Sequence, residues 1–151
     1  MSKFVKKLTA VVIMTCMLVA AVGCGGPKKQ SVTCTQEQDG ITVEMVLDAE
    51  DDNIVKMTQT SSIPLDGYTE EQASAMEEML KAAKDTFEGI DGVEYNTEKT
   101  DKVLKATVSI KTDEKTLKAV ADQGLFDDLD SDDLSLEKAK KSLADEGWTI
   151  K

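Results

Sequence analysis

Apolar residues recur along this chain at two different spacings. In "VTCTQEQDGITVEMVLDAEDDNIVKMTQTSSIP", residues 32 to 64, they alternate with polar ones and many are β-branched. That is the pattern of strands with one face on a core. Asp39-Gly40 is a residue pair that favours a two-residue type I′ turn, in which both central residues take positive φ. Folding about it pairs Gln36 with Val43, Cys34 with Met45 and Val32 with Leu47. Directly opposed residues share a face. Val32, Cys34, Val43, Met45 and Leu47 therefore fall on one side, and Thr33, Thr35, Thr42 and Glu44 on the other. A second turn at residues 50–53 leads into a strand over 54–62, whose register the alternation leaves open. Pro64 ends it, because proline has no N–H to give a ladder.

From Tyr68 the period changes. Ala73, Met76, Leu80, Ala83, Phe87 and Ile90 recur at intervals of three and four, which predicts a long helix lying on the core. Thr69 and Gln72 form a capping box at its start, and Gly89 or Gly92 can stop it. The helix's methionines read as core rather than as a soft-metal surface. Residues 93–111 return to alternation. A turn at Thr100-Asp101 would pair Tyr95 with Ala106 and Val93 with Val108, and a four-residue turn would keep the same face. Val93, Tyr95, Leu104, Ala106, Val108 and Ile110 share that face. A short helix follows with Leu117, Val120 and Ala121 inward, closed by Gly124. The last helix begins at the N-cap Ser135, turns Leu136, Ala139 and Leu143 inward, and ends near Gly147, with Trp148 docking the tail. The expected fold is α+β: an antiparallel sheet of about five strands, a meander plus a hairpin, with one long helix and two shorter C-terminal helices.

The N-terminus has a pattern of its own. Lys3, Lys6 and Lys7 precede the uncharged run Leu8–Val22, which closes on small residues. This is the plan of a secretory signal peptide, and the run is short for a spanning helix, which needs about 20 apolar residues. The closing "LVAAVGC" resembles the lipobox of bacterial lipoproteins, with Ala21 where Leu or Val is more usual. In that class the Cys thiol, here that of Cys24, takes a diacylglyceryl group and the chain is cut before it. An uncleaved signal anchor and a plain secreted product are the alternatives. The expected organisation is residues 1–23 signal peptide, 24–31 lipid-anchored linker, and 32–151 a single domain.

Composition narrows the chemistry. The chain holds 29 acidic residues against 18 lysines, with no Arg and no His. Loss of residues 1–23 would leave 15 lysines. A surface this acidic repels phosphate backbones, so nucleic acid is not an expected partner. The usual neutral-pH base and the commonest zinc ligand are both missing, as is the fork that grips carboxylate or phosphate. Cys16 leaves with the signal and Cys24 takes lipid. Cys34 then stands alone and reads as core packing rather than a nucleophile. The acidic run "DDLDSDD" (127–133) offers Asp128, Asp130 and Asp132 as weak calcium candidates. Against an EF-hand loop, however, Asp133 stands where Gly is needed and Ala139 where the bidentate Glu belongs. No catalytic residue, resident metal or cofactor is expected.

From Val32 onward the ordered set "EQDGITVEMVL", "SSIPL", "FEGIDGVEY", "EKTDKVLKATVSI" and "LSLEKAKKSLADEGW" resembles the YehR-like bacterial lipoproteins, a family of unknown function. The resemblance implies a small α+β domain on a lipid anchor and carries no catalytic residues. The expected function is a membrane-anchored extracytoplasmic lipoprotein acting as a binding or interaction module at the cell envelope, taking a protein or other envelope component through the polar sheet face or the acidic loop. Binding of a cation or small cationic ligand, and a carboxylate-based enzyme, are the alternatives.

Overall fold

The computed structural model describes residues 26–123 and 134–151. Among them the elements run β1 (Lys29–Gln38), β2 (Ile41–Glu50), β3 (Asn53–Pro64), α1 (Glu70–Phe87), β4 (Val93–Lys99), β5 (Val103–Lys111), α2 (Glu114–Asp122), α3 (Leu136–Asp145) and β6 (Thr149–Ile150). The strands form one antiparallel sheet in the order β4-β5-β3-β2-β1-β6. The fold is α+β as expected, with six strands rather than about five. The extra one, β6, is two residues long and leaves no alternation to read.

The β1–β2 register is the expected one, with Val32 opposite Leu47, Cys34 opposite Met45 and Gln36 opposite Val43. Asp39 and Gly40 take φ of 53° and 80° at the turn. The hairpin also reaches further back than the apolar pattern. Lys29–Ser31, expected in the linker, are strand and pair with residues 48–50. Lys28 is held too: its N–H donates to Asp51 Oδ1 at 2.9 Å, and its carbonyl accepts from the Asp51 N–H at 2.7 Å.

The register of β3 carries an irregularity. Ala49 faces Ile54 while Asp48 faces Lys56, so Val55 is an extra residue, a bulge. The slip of one position lets both Ile54 (2% exposed) and Met57 face the core. The backbone oxygens it frees are used: Val55 C=O accepts from the Thr112 N–H, and Ile54 C=O from the Thr112 hydroxyl. In the second hairpin Tyr95 lies opposite Val108 and Val93 opposite Ile110, two positions from the shorter turn. Thr100 stabilises the longer loop, its hydroxyl accepting from the Val103 N–H at 3.0 Å. The inward face is unchanged, and Leu104 and Ile110 are buried.

Two helices cover one face of the sheet. α1 has its capping box at Thr69 and Gln72 and stops before Gly89, whose φ is +87°. Its buried Ala73 joins Leu65 and Leu104, with Ile63, Met76 and Leu80 packed around them. Phe87 stacks on Tyr95 with ring centroids 5.1 Å apart, and the Tyr95 hydroxyl donates to Leu80 C=O. Met79 departs from the expectation for the methionines: it lies beside the apolar stripe and is 72% exposed. α3 caps on Ser135 as expected and inserts Leu136 among Cys34, Leu47, Ala49 and Ile54, with Ala139, Leu143 and Trp148 alongside. In α2, Val120 is buried, Leu117 and Ala121 are half-buried, and Thr116 is buried at 2% although polar. Gly124 lies outside the described residues.

The start of α3 is tied to the β2–β3 turn. Asp52 accepts from the Ser135 hydroxyl at 2.7 Å and from the Glu137 N–H at 3.0 Å, and its own C=O accepts from the Leu136 N–H. The Ser135 hydroxyl bond, then the backbone bond from Glu137, hold the Asp52 carboxyl below its ordinary range. A lowered carboxylate pKa stabilises the fold at pH values above the unfolded value, about 4, and that stabilisation is lost as pH falls through the folded one. Asp52→Asn is therefore expected to lower the melting temperature at pH 7 and to flatten its fall between about pH 5 and pH 3. Thermal melts of the two proteins across that window check it.

Candidate functional site

The opposite face of the sheet bears no described helix. Because directly opposed residues share a face, the register assembles it row by row. One row runs Thr149, Thr35, Glu44, Thr60, Thr107, Asn96, and the next runs Thr33, Val46, Thr58, Ser109, Glu94. At about 4.8 Å between strands, six strands make a surface about 24 Å wide. Thr33, Thr35, Thr42 and Glu44 are half-buried within it, on the side predicted for them. Strand pairing adds the hydroxyls of β3 and β5, which no local pattern could place beside them.

The chemistry of this surface is hydroxyl chemistry. Thr58 and Ser109 hydrogen-bond across the strands at 3.1 Å, as do Thr60 and Thr107. A hydroxyl donates once and accepts twice, so the half-buried Thr58, Thr60 and Thr107 keep capacity for an outside partner, while Ser109 is buried at 8%. Val46 is the one aliphatic side chain in these two rows, and neither row contains an aromatic ring. Such a face suits a wet, hydrogen-bonded contact rather than insertion of an apolar anchor.

Cys34 lies on the other side, in the core, with no exposed surface. Burial pushes its thiol pKa up, outweighing the weaker pull of Lys140. It stays protonated and unreactive, as expected of a packing residue. A shallow cavity of about 410 Å³ lies between the end of α1 and α2, lined by Ile90, Asp91, Lys115 and Ala119 among others. Two of its charges are paired, Lys115 Nζ lying 2.9 Å from Asp91 Oδ2, and Asp122 lines it as well. Among the described residues no group of three His, Cys, Asp or Glu is placed to hold a metal. Asp128, Asp130 and Asp132 lie outside the described residues, as does Cys24. No described helix is long and apolar enough to cross a membrane.

Among the described residues, a single antiparallel sheet with helices on one face and hydroxyls on the other makes a small α+β domain. The chain belongs to the family described as "Protein of unknown function (DUF1307)", whose profile matches residues 30–149. It is similar to the uncharacterized lipoprotein Lmo0207 of Listeria monocytogenes, 28% identical over 150 residues that cover 97% of this chain and 96% of that one. The uncharacterized lipoprotein Lin0239 of Listeria innocua is 25% identical over the same shares. The fold is that of the E. coli YehR protein solved by NMR, with a TM-score of 0.60 and 19% identity over 83% of this chain and 92% of that one. A Streptococcus pneumoniae TIGR4 protein, also solved by NMR, matches with a TM-score of 0.58 and 14% identity over 91% of this chain and 95% of that one. The resemblance to YehR-like lipoproteins is borne out, in the fold by YehR and in the sequence by two lipoproteins.

Proposed function

We propose that this chain is a membrane-anchored extracytoplasmic lipoprotein. Cys24 carries the diacylglyceryl group after cleavage behind Gly23, and the folded domain is a binding module for an envelope protein. The hydroxyl-bearing sheet face, over which no described helix lies, carries the binding part of this reading. Its cross-strand Thr and Ser pairs and the central Glu44 offer donors and acceptors over an area that no described helix screens. The lipoprotein names of the two relatives and the order of charged, apolar and small residues before Cys24 support the anchoring part. Two acyl chains on one residue suffice for stable anchoring, where one gives marginal binding. In this reading the domain binds and does not turn over a substrate.

Anchoring and binding are separable. Cys24→Ser is expected to abolish incorporation of labelled fatty acid and to leave an unprocessed precursor. Labelling that persists places the modification elsewhere. For binding, in-membrane crosslinking is compared between the native chain, the open-face double variant Thr35→Lys/Thr60→Lys and the helix-face control Met79→Lys. The crosslinked species is expected to disappear in the double variant alone. Equal yields in all three reject the open face as the binding surface.

A further inference from the structure

We propose that the domain stands upright on the bilayer, with the Asp51-Asp52 end of its sheet next to the headgroups and the Asp39-Gly40 tip pointing away. The inference rests on lipidation of Cys24, proposed above. The tether is far shorter than the run of small and basic residues suggests. Lys28 is already fixed, its N–H and C=O both bonded to Asp51 at 2.9 and 2.7 Å, and β1 begins at Lys29. Four residues from Lys28 to Cys24 span at most about 14 Å when fully extended. The β2–β3 turn can therefore stand no further than that from the lipid-bearing residue.

The sheet then sets what is near and what is far. β1 and β2 are ten residues each, so the Asp39-Gly40 tip lies about 33 Å along the strands from the held end. The Thr100–Lys102 loop is at the tip end, since Pro64 pairs with Val103 and the Leu65 N–H donates to Lys102 C=O. The start of α2 is at the held end, since the Thr112 N–H donates to Val55 C=O.

Charge separates standing from lying. Lys28, Lys29, Lys56, Lys111 and Lys115 stand at the held end among Asp48, Asp51, Asp113 and Glu114, and these lysines soften the repulsion of that end from anionic headgroups. Several acids beside them are engaged: Asp52 caps α3, and Asp91 and Glu50 are ion-paired to Lys115 and Lys29. At the tip end Glu37, Asp39, Glu98 and Asp101, joined by the first-turn Glu70 and Glu71 of α1, outnumber Lys99, Lys102 and Lys105, and no tether holds that end down. Laying the domain flat would press these carboxylates onto a like-charged surface. Upright, the open face presents its hydroxyls sideways, toward a neighbour on the same membrane surface.

Energy transfer tests the placement. The full lipidated chain is reconstituted in vesicles of phosphatidylglycerol and phosphatidylethanolamine containing an acceptor-dye lipid. The donor is attached at Glu114→Cys (held end) or Asp101→Cys (tip), both exposed positions, while buried Cys34 stays unlabelled. Transfer from position 114 is expected to be roughly twice that from 101 or more, given the height difference. Inserting about twenty Gly/Ser residues after Gly26 should lower transfer at 114. Equal transfer from both sites, on chains whose Cys24 carries lipid by mass spectrometry, overturns the upright placement. Failure to float with vesicles together with a bare Cys24 thiol overturns the anchor itself.

Discussion

Leu136→Ala is expected to cost about 2 to 5 kcal/mol of stability, a large share of what a domain of this size has. Leu136 is 1% exposed and is the α3 residue set among Cys34, Leu47, Ala49 and Ile54. Truncation removes the transfer free energy of its buried methyl and methylene groups and leaves a cavity between helix and sheet. The site is poorly able to collapse, because Asp52 pins the start of α3, through Ser135 and Glu137, to the β2–β3 turn. Leu143 packs against the same cluster but is only half-buried, so Leu143→Ala should cost markedly less. Urea titrations of the three proteins compare the midpoints. Hydrogen exchange should show the loosening concentrated in α3 and β6, since the helix end and the strand share Trp148 and the pairing with Cys34. A cost below about 1 kcal/mol would mean that α3 is not held by this side chain.

The pattern of legibility follows from the range of each interaction. The first hairpin was readable because Asp39-Gly40 sets its turn and the alternation on both strands agrees with it. The Val55 bulge was not, because its reason lies in Thr112, just past the end of β5, whose N–H and hydroxyl take the two freed carbonyls. Thr100 organises a longer loop than the two-residue turn assumed, yet the inward face was unaffected because the shift is by two positions. Ser135 was recognisable as an N-cap from its neighbours, while Asp52, its partner 83 residues away, was not. The open face divides in the same way. Thr33, Thr35, Thr42 and Glu44 follow from local pairing. Thr58, Thr60, Thr107 and Ser109 join them only because β3 pairs with β5 across the whole of α1 and β4, a long-range choice that no local period encodes.

Gly92→Ala is expected to destabilise the fold by about 2 to 4 kcal/mol, although only a methyl group is added. Gly92 has φ of +86°, a left-handed backbone that costs a residue with a Cβ about 1 to 2 kcal/mol. The new Cβ would also overlap Thr116 Oγ1 and stand 3.1 Å from its Cγ2. Thr116 cannot swing aside freely. It is 2% exposed, and its hydroxyl is engaged with Asp91 C=O at 3.1 Å and Asp113 Oδ2 at 2.7 Å. Rotating it would take the hydroxyl's bonds from the Asp91 carbonyl and from Oδ2 of the α2 N-cap Asp113. The two causes separate in a double-mutant cycle. Thr116→Ala alone loses the hydroxyl's bonds. In its background Gly92→Ala should cost little beyond the backbone strain, because the two nearest atoms, Oγ1 and Cγ2, are gone and only Cβ at 3.3 Å remains. A coupling free energy of about 1 kcal/mol or more in favour of the double variant supports the steric account. Strict additivity would leave the positive φ as the whole effect and remove Thr116 from the explanation.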